Sequence, residues 1–106
     1  MVQTQINRLV RDRVTTVLAT KGNTCITEIL PDDLYAEHLL AKLQYDVNDY
    51  KGKHSVDSLV DALEVIYALG KLHGYTPEAM ETMRQEKKER EGGYDHKKFL
   101  KAICQF

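Results

Sequence analysis

Cysteine is scarce in these 106 residues: Cys25 and Cys104 stand far apart, without the close spacing of a metal-binding pair. In an intracellular chain two such thiols serve more often as reduced packing residues than as a disulfide, so they carry little information. An excess of one charge is also lacking. Lys and Arg number 15 against 16 Asp and Glu, a formal net charge of -1, so no global field draws the chain to nucleic acid or an anionic membrane. Any phosphate site has to be local. No apolar run approaches the roughly 20 residues needed to span a bilayer, and the N-terminus lacks the charged start and apolar run of a signal peptide, so the expectation is a cytoplasmic protein. His38, His54, His73 and His96 are too scattered to form a metal cluster. There is no internal repeat and no low-complexity segment, so residues 1–106 read as one domain.

What the chain does have is helical periodicity. From Val56 to Leu72 nearly every position is apolar, the pattern of a helix buried on most sides rather than one with a single stripe. A domain this small has little with which to cover such a helix, so the pattern predicts a homo-oligomer. Upstream, Ala36, Leu39, Leu43, Val47 and Tyr50 repeat at helical spacing and form the stripe of a second helix. The polar stretch from Lys51 to His54 joins the two, and so short a connection favours antiparallel packing.

The remaining boundaries follow from caps and breakers. Asn7 is placed to cap a first helix running to Lys21, with Gly22 as its stop. Thr24 to Leu30 reads as an extended connection ending at Pro31, after which Asp32 or Asp33 caps the second helix. Ser55 caps the third and Gly74 closes it. Thr76-Pro77-Glu78 combines a cap, a proline at the first helical position and an acid in the first turn, so a fourth helix starts there. That helix is mostly polar, with Glu86 and Arg90 spaced to pair, and Gly92-Gly93 ends it. The expectation is an all-α bundle of four helices near 7–21, 33–51, 55–73 and 76–91. Phe99, Leu100, Ile103 and Phe106 in the tail would dock on it.

Two acidic flanks mark this framework. Asp57, Asp61 and Glu64 stand at i, i+4 and i+7 on the third helix, with Ser58 beside them, while Lys42, Asp46 and Asp49 share a flank of the second. If the helices pack antiparallel, the carboxylates of one can face those of the other. Carboxylates brought together repel unless a cation sits among them, and oxygen-only ligands suit magnesium or manganese rather than zinc. The same spacing also describes a solvated helix face, and spacing alone favours that. Arg8, Arg11 and Arg13, in the opening turns of the first helix, oppose its dipole; an anionic ligand is one reason for them, but taken alone they do not overturn ordinary surface charge paired with Asp12 and neighbouring acids.

Four stretches are then considered together: Asn7-Arg8-Leu9-Val10-Arg11-Asp12-Arg13, Lys42 to Tyr50, Asp61-Ala62-Leu63-Glu64-Val65-Ile66, and Gly92-Gly93-Tyr94. In order and spacing they resemble the MazG-like, all-α nucleoside triphosphate pyrophosphohydrolases, in particular the small branch often labelled phosphoribosyl-ATP pyrophosphohydrolase-like. The resemblance covers nearly the whole chain. It implies a helical bundle that assembles as a dimer or higher oligomer and binds magnesium through an E-E-x-x-E helix and an E-x-x-D helix. Asp46, Asp49 and Asp61 match ligand positions, and the resemblance gives them the metal and catalytic role. Tyr45 and Ser58 stand where the family has acids. Asp46 and Asp49 are also shorter than the family's glutamates by one carbon–carbon bond, about 1.5 Å. Asp57 adjoins Ser58 but is rotated by about 100° on the helix.

The implied chemistry is magnesium-dependent hydrolysis of a nucleoside triphosphate or related nucleotide between its α- and β-phosphates, giving a monophosphate and pyrophosphate. Manganese is a possible substitute. Arg8, Arg11, Lys87, Lys88 and Arg90 are candidates to hold the phosphates. Glu64, one turn after Asp61, is either a lesser metal or water ligand or a buried partner of Lys42 or Lys71. Two other functions compete: a relative that keeps the fold but has lost catalysis, serving as a nucleotide-binding or protein-interaction module, and a plain helical adaptor.

Overall fold

A computed structural model describes residues 3–105, and among these the chain is all-helical, with no strand. The four helices are α1 (Val14–Thr20), α2 (Asp32–Lys53), α3 (Val56–Leu72) and α4 (Pro77–Glu91). Where the cap signals are strong, sequence and structure agree. Ser55 Oγ accepts the backbone N–H of Asp57 at 3.2 Å, and Thr76 Oγ1 accepts that of Ala79 at 3.1 Å, with Pro77 in the first helical position. α1 and α3 end alike. Gly22 and Gly74 take left-handed φ values of 86° and 82°, and in each case the glycine and the residue after it bond back to carbonyls of the last turn.

Two starts differ from expectation. The first helix begins at Val14, not Asn7, and Asn7 itself has a left-handed φ of 52°. Val14, Thr15, Thr16 and Val17 are weak helix formers, and the arginines ahead of them oppose the dipole, while Arg8 and Arg11 find partners on α2 and α3 from an irregular segment. The second helix is preceded by Pro31 in extended conformation, and neither Asp32 nor Asp33 caps it. Both acids lie in its first turn, where their charge favours the dipole. At the other end α2 runs on to Lys53, so only the left-handed His54 and the cap residue Ser55 make the turn.

So short a turn folds α3 back along α2, and this antiparallel hairpin is the packed unit of the chain. Leu39 of α2 and Ala62 and Val65 of α3 are its buried apolar residues. Ser58, Ala62 and Val65, at i, i+4 and i+7, lie on the ridge of α3 that is covered. Apart from Gly70, which meets α4, the other positions of α3 are not buried within one chain, contrary to the sequence expectation: Leu63 is 45 % and Ile66 38 % exposed, because α2 covers one side only.

α4 meets α3 near its C-terminal end, where Met80 rests against Gly70 so closely that a side chain there would overlap the methionine sulfur. From Glu81 to Glu91 α4 is exposed. Arg84 pairs with Glu81 at 2.6 Å and Arg90 with Glu91 at 3.2 Å, in place of the expected Glu86–Arg90 pair. α1 packs on no other helix. Residues 24–30 form no helix or strand. The tail, by contrast, does not dock: Tyr94, Phe99, Leu100 and Ile103 are all exposed, and Phe106 lies outside the described residues. A run broken by Gly92-Gly93 and mixed with Lys97, Lys98 and Lys101 has too little continuous apolar surface to hold it against the hairpin. No described helix is long and apolar enough to cross a membrane.

Candidate functional site

The hairpin places Asp46 and Asp49 of α2, one turn apart, beside the N-terminal half of α3 that carries Ser58 and Asp61. Asp46 is almost wholly buried, at 2 % exposure, and Ser58 nearly so at 3 %. Lys42, one turn earlier on α2, donates to Asp46 Oδ1 at 2.5 Å. Asp46 Oδ2 is buried and has no hydrogen-bond partner. Buried carboxylate oxygens are rarely left so, which makes this atom the most informative one in the seam.

Asp49 is tied across the helices. Ser58 Oγ donates to Asp49 Oδ2 at 2.7 Å, and Lys53 Nζ lies 3.1 Å from Asp49 Oδ1. The Ser58 hydroxyl first, and the Lys53 ammonium second, hold the Asp49 carboxyl below its ordinary range, while the Lys53 ammonium is pushed up by the same contact. Asp61 is reached from the opposite end of the chain, with Arg11 Nη2 donating to its Oδ1 at 2.8 Å. That pair is half exposed, so its Coulomb energy is small and it exchanges readily. Arg8 lies over the ring of Tyr45, its guanidinium carbon 4.3 Å from the ring centroid, and Lys42 Nζ lies 5.1 Å from the same centroid.

The expected site residues therefore divide. Asp46, Asp49, Asp61, Arg8 and Arg11 lie along or beside one seam, each carboxylate touched by its own cation. Lys87, Lys88 and Arg90 are exposed on α4, and no hydrogen bond or ion pair joins them to the seam. Asp57 and Glu64 are exposed, and Glu64 pairs with neither Lys42 nor Lys71 among the described residues, so the expectation of a buried partner does not hold. Lys42 and Ser58 are more deeply involved than their sequence positions suggest. The i, i+4 spacing of Lys42 and Asp46 signals the first, whereas nothing local to Ser58 announces a bond across the helices.

Among the described residues, no three His, Cys, Asp or Glu side chains are grouped closely enough to share a metal ion. The oxygen donors of the seam are the three carboxylates and the Ser58 hydroxyl, and Asp46 Oδ2 lacks a partner; magnesium commonly uses one or two carboxylates, with water and substrate phosphate for the remainder. In comparisons with known proteins, the chain matches no family model, no curated protein and no solved structure.

Proposed function

We propose that this protein is a nucleotide pyrophosphohydrolase, splitting a nucleoside triphosphate or related nucleotide into monophosphate and pyrophosphate. The observation that carries the reading is the buried, half-satisfied carboxylate of Asp46, on a seam shared with Asp49 and Asp61 and bordered by Arg8, Arg11 and Lys42. One or two of the carboxylates of Asp46, Asp49 and Asp61, with water and the phosphates, would hold magnesium or manganese, which would supply charge neutralisation for the phosphates. Arg11 is well placed to leave Asp61 for a phosphate oxygen, since an exposed ion pair costs little to break. Arg8, whose guanidinium carbon lies over the Tyr45 ring, binds phosphate through its N–H donors. Water adds to the α-phosphorus as the bond from it to the α–β bridging oxygen breaks, the electron pair of that bond leaves with pyrophosphate, and the added water gives up its proton to solvent.

The exposed apolar surface of α3 supports a homo-oligomer as the working form. A cytoplasmic setting accords with the free thiols of Cys25 and Cys104. A second reading, a nucleotide-binding relative without catalysis, draws on the fact that all three carboxylates already have cationic partners. One experiment separates the two. Magnesium or manganese is titrated into the protein by calorimetry with and without a non-hydrolysable triphosphate, alongside a pyrophosphate-release assay over a panel of triphosphates. The enzyme reading expects weak metal binding alone, clear binding once phosphates complete the shell, loss of that synergy in Asp61→Asn, and release of pyrophosphate. Synergy without release selects the second reading. Independent binding of metal and nucleotide removes the catalytic reading.

A further inference from the structure

Beside the carboxylate seam lies a small cavity of about 160 Å³, where residues 7–9 cross α2. Its floor is one face of α2, His38, Ala41, Lys42 and Tyr45 at i, i+3, i+4 and i+7, and its rim includes Asn7 and Arg8. Pockets that enclose a whole small molecule run from about 300 to 1,000 Å³, so this one suits a single charged group or a short chain of two. Its lining is unlike the rest of the chain. Acids and bases nearly balance overall, yet no carboxylate lines the cavity: its titratable groups are Arg8, His38, Lys42 and the phenol of Tyr45. The guanidinium carbon of Arg8 lies over the Tyr45 ring, 4.3 Å from its centroid, and among the described residues no hydrogen bond or ion pair engages its N–H donors. An oxyanion is the ligand this donor set recognises.

Lys42 fixes which oxyanion. Its ammonium lines the cavity and also donates to Asp46, so the cavity and the carboxylate seam share one residue as their common wall. A phosphate chain with one end among Arg8, His38 and Lys42 has its next phosphorus on the Asp46 side. We infer that the cavity is the subsite for the terminal phosphates of the nucleotide, the part that departs as pyrophosphate, with the nucleoside end lying beyond Asp46 along the seam. This rests on the pyrophosphohydrolase reading and adds a direction to it. Recognition begins at the phosphate tail, so pyrophosphate is the minimal ligand and a nucleoside monophosphate is not.

The test uses pyrophosphate alone, without metal, titrated calorimetrically into the full chain. Binding is expected, weakened about tenfold by Arg8→Gln through loss of a charge-assisted contact, and by at least as much in Ala41→Glu, which sets a carboxylate against the anion. Ala41 is an exposed helical position and glutamate a good helix former, so that variant keeps the fold, as its circular dichroism will check. Lys21→Gln, an exposed charge outside the cavity, leaves binding unchanged. Absence of pyrophosphate binding, indifference to both cavity variants, or displacement of pyrophosphate by an equal concentration of nucleoside monophosphate would each overturn the assignment. The outcome is independent of turnover. Pyrophosphate bound in this manner by a protein that hydrolyses nothing leaves the subsite standing and removes the enzyme, whereas hydrolysis with binding indifferent to Arg8 and Ala41 removes the subsite alone.

Discussion

Lys42 and Asp46 form an ion pair one helical turn apart, at 2.5 Å, in which the carboxylate side chain is 3 % exposed and the lysine 22 %. Two effects oppose each other there. Burial penalises the charge on Asp46, and one part-buried ammonium offsets that penalty from one side only, since Asp46 Oδ2 has no partner. An unsatisfied buried polar atom costs about 1–3 kcal/mol. The folded hairpin thus carries an unfavourable contribution that a ligand able to reach Oδ2 would remove.

The balance is measurable by a double-mutant cycle in urea at fixed protein concentration. Lys42→Met leaves the carboxylate buried and uncompensated, and it is expected to lower stability by about 3–5 kcal/mol. Lys42→Met combined with Asp46→Leu replaces the pair with apolar groups and is expected to recover most of that loss. If the double variant is no more stable than the single one, Asp46 is not the source of the cost.

Asp49 gives a pH signature of opposite origin, because it is well satisfied. Its carboxyl is held low, chiefly by the Ser58 hydroxyl and then by Lys53. A depressed folded value means that this contribution is fully present above the ordinary aspartate pKa of about 3.9 and is lost as pH falls through the folded value. For Lys53, raised in turn, the contribution is present below the ordinary lysine value of about 10.4 and is lost as pH rises through the folded one. Ser58→Ala removes the larger cause on the acid side. The variant is expected to melt several degrees lower between about pH 5 and 9, with the gap closing in strong acid. A gap of constant size down to pH 2 would show that Ser58 contributes by packing alone.

Legibility in the sequence followed the range of the interaction. Ser55, Gly74 and Thr76-Pro77 act within one turn, and each was readable as a cap, stop or start. The Lys42–Asp46 pair is also local and readable from its i, i+4 spacing. Arg11 and Asp61 are separated by 50 positions, and their pairing depends on how residues 7–13 cross the hairpin, which no periodicity encodes. The same crossing explains why the first helix starts late. Contacts made by Arg8 and Arg11 outside a helix compete with a helical turn that begins with like charges and continues into β-branched residues. The stacking of Arg8 on Tyr45 is equally non-local, so the cavity beneath it was invisible in the sequence.

The apolar face of α3 supports the last prediction. A compact chain of about 100 residues has a radius of gyration near 13 Å. This one has 18.6 Å and extends over 70 × 32 × 23 Å. Leu59, Val60, Leu63 and Ile66 are exposed along the same helix that contributes Ala62 and Val65 to the core, and Leu39 is the one buried apolar residue of α2. So little buried apolar area does not offset the conformational entropy of a chain this long, whose ordering costs on the order of 1 kcal/mol per residue or more. A second copy presenting the same face would supply the missing area. Light scattering at micromolar concentration is expected to give the mass of a dimer or larger assembly, with a melting temperature that rises with protein concentration. Leu63→Lys, which sets like charges against each other across a symmetric contact, is expected to shift the mass to the monomer and to lower the melting temperature by several degrees or more. A stable monomer whose melting temperature ignores concentration would mean that the hairpin holds itself together and that the exposed face of α3 serves something other than self-association.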